Sequence, residues 1–265
     1  MYQVDVLIQG FPGRAICHGG LGWSTVTLVR GHGRKILVDV GAFGVRKPLA
    51  IQLEAHGVKP SEITDVVLTH AHYDHAVNYI LFPKATVWIG ADELRWAAAQ
   101  PPGFNPLPEL YVRALDTGEQ VRRVQADTEF LPGLHAIAAP GHTPGHLLFY
   151  LAANDVPVLF TGDAAKNRAE LLSGHVDASE SHADSERSLQ TIWRWWRNVP
   201  GTLLIPGHDL TMRLDENGRP EYIGKRTAAI AAWFSESLSL STPFDLTDAA
   251  AHVEPHPFQT GIPNS

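Results

Sequence analysis

The sequence predicts a mixed α/β fold, and three observations predict it. Short runs rich in β-branched residues, each closed by glycine, alternate with helix-like stretches. Polar residues of metal-ligating type recur directly behind several apolar runs. A length of 265 residues with 44% hydrophobic composition is enough to bury one large core.

Taken in order, "YQVDVLIQG", "STVTLVRG" and "KILVDVG" read as strands, with Gly31 and Gly33 suiting a tight connection between the second and third. "PLAIQLEAHG" then reads as a helix, "ITDVVLTH" and "TVWIG" as strands, and Ala91 to Gln100 as a helix stopped by Pro101 and Pro102. The later half repeats the theme. "LHAIAAPGH", "HLLFYLA", "VPVLFTGD" and "GTLLIPGHD" read as strands, Asp184 to Val199 as an amphipathic helix, and Lys225 to Leu238 as a last helix. Residues 1–240 are expected to form the domain and 241–265 a C-terminal extension.

Composition excludes several classes. No apolar run approaches the roughly 18 residues that a membrane span needs. A net charge of −7 disfavours a nucleic-acid backbone, which is bound by neutralising phosphates with Lys and Arg. In "IWRWWRNV", Trp193 and Trp196 lie three apart, the spacing of a helix stripe packed into a core. "MYQVDVLIQGFPG" lacks a basic segment followed by a long apolar one, so no secretory leader and a cytoplasmic location are expected. Cys17 is the single cysteine, so it forms no internal disulfide and supplies no Cys-rich metal knuckle.

Residues of metal-ligating type are concentrated. "LTHAHYDHAVNY" holds three histidines and an aspartate within six positions behind a buried-type strand. His70 and His72, two apart in an extending backbone, can project to one side; Asp74 and His75 fall after the turn and would face a neighbouring position. His142 in "PGHTPGH", Asp163 in "FTGD" and His208 in "PGHD" follow three other strands. In α/β sheets such strand ends converge at one edge.

The pattern His70, His72, Asp74, His75, then His142, Asp163 and His208 resembles the metallo-β-lactamase superfamily over roughly residues 2–238. The resemblance implies a four-layer αββα sandwich with two divalent ions. His70, His72 and His142 would hold the first, Asp74, His75 and His208 the second, and Asp163 would bridge. Zinc suits this donor set best, and iron or manganese also suits it. Asp39, matching an acidic residue at an early strand end, would orient a ligand histidine. The implied reaction is attack of a hydroxide shared by the two ions on the carbonyl of an ester, lactone or thioester.

Departures narrow the branch. Exported zinc lactamases place a cysteine where this chain has Asp163, and flavodiiron proteins place Glu where it has His72. "PGHTPGH" and the run from Gly207 to Arg226 resemble the lactonases that open acyl-homoserine lactones, although their tyrosine, three residues after the bridging aspartate, is here Lys166. Lys166 is expected to stabilise an oxyanion and Asp74 to handle a proton. "GVKPSEITDVVLTHAHYDHAVNYILFPKATVWIG" is also similar to small metallo-β-lactamase-domain proteins for which RNA cleavage is proposed in animals, and glyoxalase II supplies a thioesterase parallel. The alternatives to an ester-type hydrolase are an iron-dependent persulfide dioxygenase and a metal-dependent ribonuclease. His18 and Trp23, in the glycine-rich "CHGGLGW", are expected to touch a small-molecule substrate.

Overall fold

The computed structural model describes residues 1–15 and 19–247. Strands β1 (Gln3–Ile8), β4 (Val26–Gly31), β5 (Arg34–Val38), β6 (Asp65–Leu68), β7 (Thr86–Gly90) and β8 (Val121–Val124) form a six-stranded sheet in the order β1-β4-β5-β6-β7-β8. The small hairpin β2 (Arg14–Ala15) and β3 (Gly19–Gly20) stands apart from it. The strands of the second sheet are β9 (Thr128–Leu131), β10 (Leu134–Ala138), β11 (Leu147–Leu151), β12 (Val158–Gly162), β13 (Leu203–Pro206), β14 (Met212–Leu214) and β15 (Pro220–Tyr222). These seven lie in the order β15-β14-β13-β12-β11-β10-β9. Helices α1 (Arg46–Ala55), α3 (Ala91–Ala98) and α4 (Glu109–Thr117) cover the first sheet, and α5 (Arg168–Ser173) and α6 (His182–Asn198) the second; the one-turn α2 (Tyr73–Ala76) follows β6.

Three apolar clusters fill the three gaps between four layers, which is the αββα sandwich. Val66 and Leu68 of β6 face α1 and α3, whereas Val67 faces the other sheet. In β11, Leu147, Phe149 and Leu151 face inward between the sheets while Leu148 and Tyr150 meet α5 and α6. Both faces of these strands are covered, so they read as continuous apolar runs and the side-chain period of two decides which layer each residue joins.

Parallel pairing positions the later site. β5, β6 and β7 run parallel, as do β12 and β13, so their C-terminal ends open onto shared edges of the two sheets. The β4–β5 connection is a two-residue turn through His32 and Gly33, both at positive φ, the geometry preferred for tight hairpins.

The helix expected over Lys225 to Leu238 is not formed. Instead β16 (Ala229–Ala232) pairs antiparallel with β17 (Thr242–Asp245) in a separate hairpin. "TAAIAAWF" has the composition of a helix, but only Ala228 of it is buried and its large apolar residues stay exposed, Trp233 at 56% and Phe234 at 77%, so no buried face rewards helical spacing. The hairpin crosses residue 240, where the extension is expected to begin; residues 248–265 of that extension lie outside the described residues.

Ser181 caps α6 by accepting the Asp184 N–H, and Ser185, Ser188, Leu189, Ile192 and Trp196 form its buried stripe. Trp196 is fully enclosed, and its Nε1–H donates to the Thr202 carbonyl at 2.9 Å. Trp196→Ala should therefore lower stability by about 3–5 kcal/mol, read as a shift of the urea midpoint. A loss under about 1 kcal/mol, the size of a surface change, would show that the ring does not anchor α6.

Candidate metal centre

The backbone sorts the opening cluster into two groups. After β6 the chain leaves in extended form, with His72 at φ −64° and ψ 151°, and only then turns into α2. His70 and His72 thus precede the turn, while Asp74 and His75 ride on it. His142 comes from the loop between β10 and β11, Asp163 directly after β12, and His208 two residues after β13.

All seven side chains converge. Ligand atoms of His70, His72 and His142 lie within 4.8 Å of one another, as do those of His70, His75 and Asp163, and those of Asp74, His75 and His208. Asp163 stands between the outer groups. Its Oδ2 is 3.4 Å from His142 Nε2, and its Oδ1 is 3.1 Å from His75 Nε2 and 3.2 Å from His208 Nε2. His142 Nε2 faces His72 Nδ1 at 2.9 Å, and Asp74 Oδ2 is 3.3 Å from His208 Nε2.

The donor set fits cations. His70 Nε2, His72 Nε2 and Asp163 Oδ1 are buried without a hydrogen-bond partner, a costly state for polar atoms in a protein interior. Imidazole nitrogens and carboxylate oxygens this close are the ligands that zinc, iron and manganese take.

Outward hydrogen bonds aim the rings. Asp39 Oδ2 accepts the His75 Nδ1–H at 2.8 Å, and the same carboxylate accepts both the N–H and the Oγ1–H of Thr69, at 2.9 and 2.8 Å. With its proton given to Asp39, Thr69 Oγ1 accepts from His70 Nδ1 at 3.0 Å. His142 Nδ1 donates to the Ala178 carbonyl at 2.8 Å. Each ring so held turns Nε2 inward. His146 acts differently, since its Nε2 accepts the Asp163 N–H at 3.1 Å and so fixes the backbone of the central carboxylate.

Burial and charge then compete. Burial opposes a charge on His75 and His208, yet Asp163 and Asp74 outweigh it, holding His75 well above the ordinary imidazole value and His208 at about 9. Burial pushes His70 the other way, assisted by the neighbouring imidazoles, so it stays neutral. Burial alone would raise Asp74, but His75 and His208 bring it to about 2. The carboxylates therefore demand positive charge at this spot, which protons on His75 and His208 supply when no ion does.

Other expected site residues are placed as follows. Lys166 Nζ pairs with Glu170 Oε1 at 2.9 Å and donates to the Asp177 carbonyl at 2.6 Å, leaving the third ammonium proton uncommitted among the described residues. Trp23 stacks on Phe11 with ring centroids 4.8 Å apart, and its Nε1–H donates to the Gln9 carbonyl. Its ring packs on the core beside β1. His18 lies outside the described residues.

Known proteins resemble this chain in sequence and in fold. The profile of the metallo-beta-lactamase superfamily matches residues 19–208. Human metallo-beta-lactamase domain-containing protein 1 is 31% identical over 192 residues, 71% of this chain and 64% of that protein. An N-acyl homoserine lactonase of a Bacillus species is 28% identical over 174 residues, 64% of this chain and 66% of that enzyme. The chain thus spans just under two thirds of the length of both relatives. Among solved structures, the dizinc quorum-quenching lactonase AidC superposes with a TM-score of 0.64 at 17% identity, over 86% of this chain and 92% of its own. This chain belongs to the metallo-beta-lactamase superfamily.

Glu93 gave no signal in the sequence, where "GADEL" reads as an ordinary acidic first turn of a helix. In the structure it is fully buried, and among the described residues no basic side chain pairs with it. Burial raises its carboxyl to about 7, against the pull of donors from Thr143, Ala71 and Gly145. The folded protein therefore binds this proton more tightly than the unfolded chain. The resulting stability is complete below the ordinary value of 4.5 and is lost as pH rises to about 7. In metal-free protein, the stability of the native chain minus that of Glu93→Gln should fall between pH 5 and 8 by a few kcal/mol, at about 1.4 kcal/mol per pKa unit. Urea titrations across that range check it, and a difference independent of pH would contradict it.

Proposed function

We propose that this protein is a dinuclear metal-dependent hydrolase that cleaves a carboxylic ester, lactone or thioester, with acyl-homoserine lactones the first substrates to test. The observation that carries the reading is the convergence of the three donor groups, in which the middle one, His70, His75 and Asp163, shares His70 with the first and His75 with the last, an arrangement that suits two ions side by side. His70, His72 and His142 would hold the first ion, Asp74, His75 and His208 the second, and Asp163 would serve both. Zinc is the preferred metal in this proposal. When bound, two divalent ions would supply Lewis acidity at a carbonyl oxygen and a water whose pKa is lowered to about 7.

The chain's own groups do the rest. Asp163 Oδ1 and Oδ2 face opposite halves of the centre, which keeps the two halves in register. Asp74, ionised at neutral pH, offers a carboxylate oxygen to a proton at the rim. Lys166, held by Glu170 and the Asp177 carbonyl, offers its remaining N–H to an oxygen that gains negative charge. The relative named as an N-acyl homoserine lactonase supports the choice of lactones. A small-molecule substrate and a cytoplasmic location complete the proposal. No helix among the described residues is long and apolar enough to cross a membrane.

Elemental analysis of tag-free protein should find about two divalent ions per chain, as two-metal hydrolases require. A screen of lactones, esters and thioesters, with RNA alongside, should find turnover among the first three. One iron per chain with no hydrolysis would overturn the reading. Asp163→Ala should lose metal and activity together, and full activity at normal metal content would remove its bridging role. Lys166→Ala should lower kcat by about 10²–10³ at unchanged metal content, the usual cost of an oxyanion donor. Unchanged kinetics would leave that lysine only its contacts with Glu170 and Asp177.

A further inference from the structure

We propose that Glu93 is a positioning residue for one half of the centre only: its carboxylate clamps the two loops that carry His70, His72 and His142, and thereby sets the affinity for the first ion. The inference rests on the two-ion reading above.

The geometry is direct. Glu93 Oε1 accepts the N–H of Ala71, the residue between His70 and His72, at 2.9 Å. Glu93 Oε2 accepts the Oγ1–H of Thr143, the residue after His142, at 2.6 Å. The Gly145 N–H is a further donor to the same carboxylate. Gly145 also lies hard against the start of α3, where a Cβ would come 2.0 Å from the Glu93 nitrogen. One side chain thus joins the loop after β6 to the loop after β10, between the histidines that must converge.

The other half is held by different atoms. Asp39 orients His75, and Ser24 Oγ donates to the Asp74 carbonyl. The His208 N–H donates to the Lys166 carbonyl at 2.8 Å, and the Thr25 N–H to the Gly207 carbonyl at 2.6 Å. None of these contacts passes through Glu93.

Chemistry explains why a carboxyl is kept in so unfavourable a place. An apolar residue would fill the volume at less cost than a buried acid without a basic partner. It would also leave the Ala71 and Gly145 N–H groups and the Thr143 hydroxyl without acceptors. Two oxygens with about four lone-pair directions can take all three donors at once.

Zinc itself is the probe: titration in competition with a chromogenic chelator, well below the thermal transition of each variant, with ions counted per folded chain. Native protein should bind two. Glu93→Ala should keep one ion and lose the other by about 10–100-fold in affinity, the range for groups that orient metal ligands. Adding His208→Ala to it should remove the remaining ion, showing that the second site had survived. Glu93→Gln, which keeps an acceptor at Ala71, should restore most of the first-site affinity. Thr143→Val cuts one arm without a buried cavity and should weaken the first ion alone, so it decides the matter if Glu93→Ala does not fold. A residue that only supports the fold would lower the melting temperature and leave the affinities equal. If native protein binds two ions and Glu93→Ala or Thr143→Val binds both as tightly, the clamp is wrong and the two-ion reading stands. If native protein binds fewer than two, the two-ion reading falls and the clamp falls with it.

Discussion

The structure depends on one electrostatic constraint: imidazole nitrogens and carboxylate oxygens aimed at a common buried space repel unless positive charge lies among them. Asp163 is the pivot, because its two oxygens face opposite groups of histidines at 3.1–3.4 Å. The proton affinity of His75 and His208 is raised for the same reason. A site that must gather cations in this way is unstable unless the scaffold holds its parts rigidly.

The scaffold meets that demand with backbone joints between the strand ends. The Leu147 N–H donates to the Thr69 carbonyl at 3.0 Å, tying the two sheets beside the cluster, and the Gly207 N–H donates to the Gly162 carbonyl at 2.9 Å. Gly207 can approach so closely only without a side chain, since a Cβ would fall 2.3 Å from Asp163 Oδ1. Buried acids complete the frame. Asp39 holds His75 directly and His70 through Thr69, while Glu93 reaches the first-group loops alone, from α3.

The outer face is built on looser terms. The turn before α6 brings the Asp177 carbonyl to Lys166 and the Ala178 carbonyl to His142, with Ala178 in the left-handed region at φ 52°. A single loop therefore touches both His142 of the donor cluster and Lys166. Specificity in such folds resides in loops of this kind, whereas the chemistry resides at the strand ends beneath them. Trp23, although in a glycine-rich segment, packs on Phe11 and belongs to the frame.

The sequence by itself determined the central strands and where residues of metal-ligating type gather. A strand buried on both faces must be a continuous apolar run, and the His and Asp able to offer metal donors stand where those runs end. Tertiary structure alone decided three other matters. Lys225 to Leu238 has helical composition, but Ala229–Ala232 within it pairs with Thr242–Asp245, because a helix there would bury no large apolar side chain. Lys166 looks free in the sequence yet is held by Glu170 and Asp177, contacts that exist only once α5 and the following loop have folded back. Glu93 is an unremarkable helix acid in one dimension. Its burial, its raised proton affinity and its reach to Ala71 and Thr143 follow from two loops, separated by some seventy residues between His72 and His142, closing over it. Local pattern fixes which face a residue takes, but a carboxylate's partners are set by chain segments that local pattern does not contain.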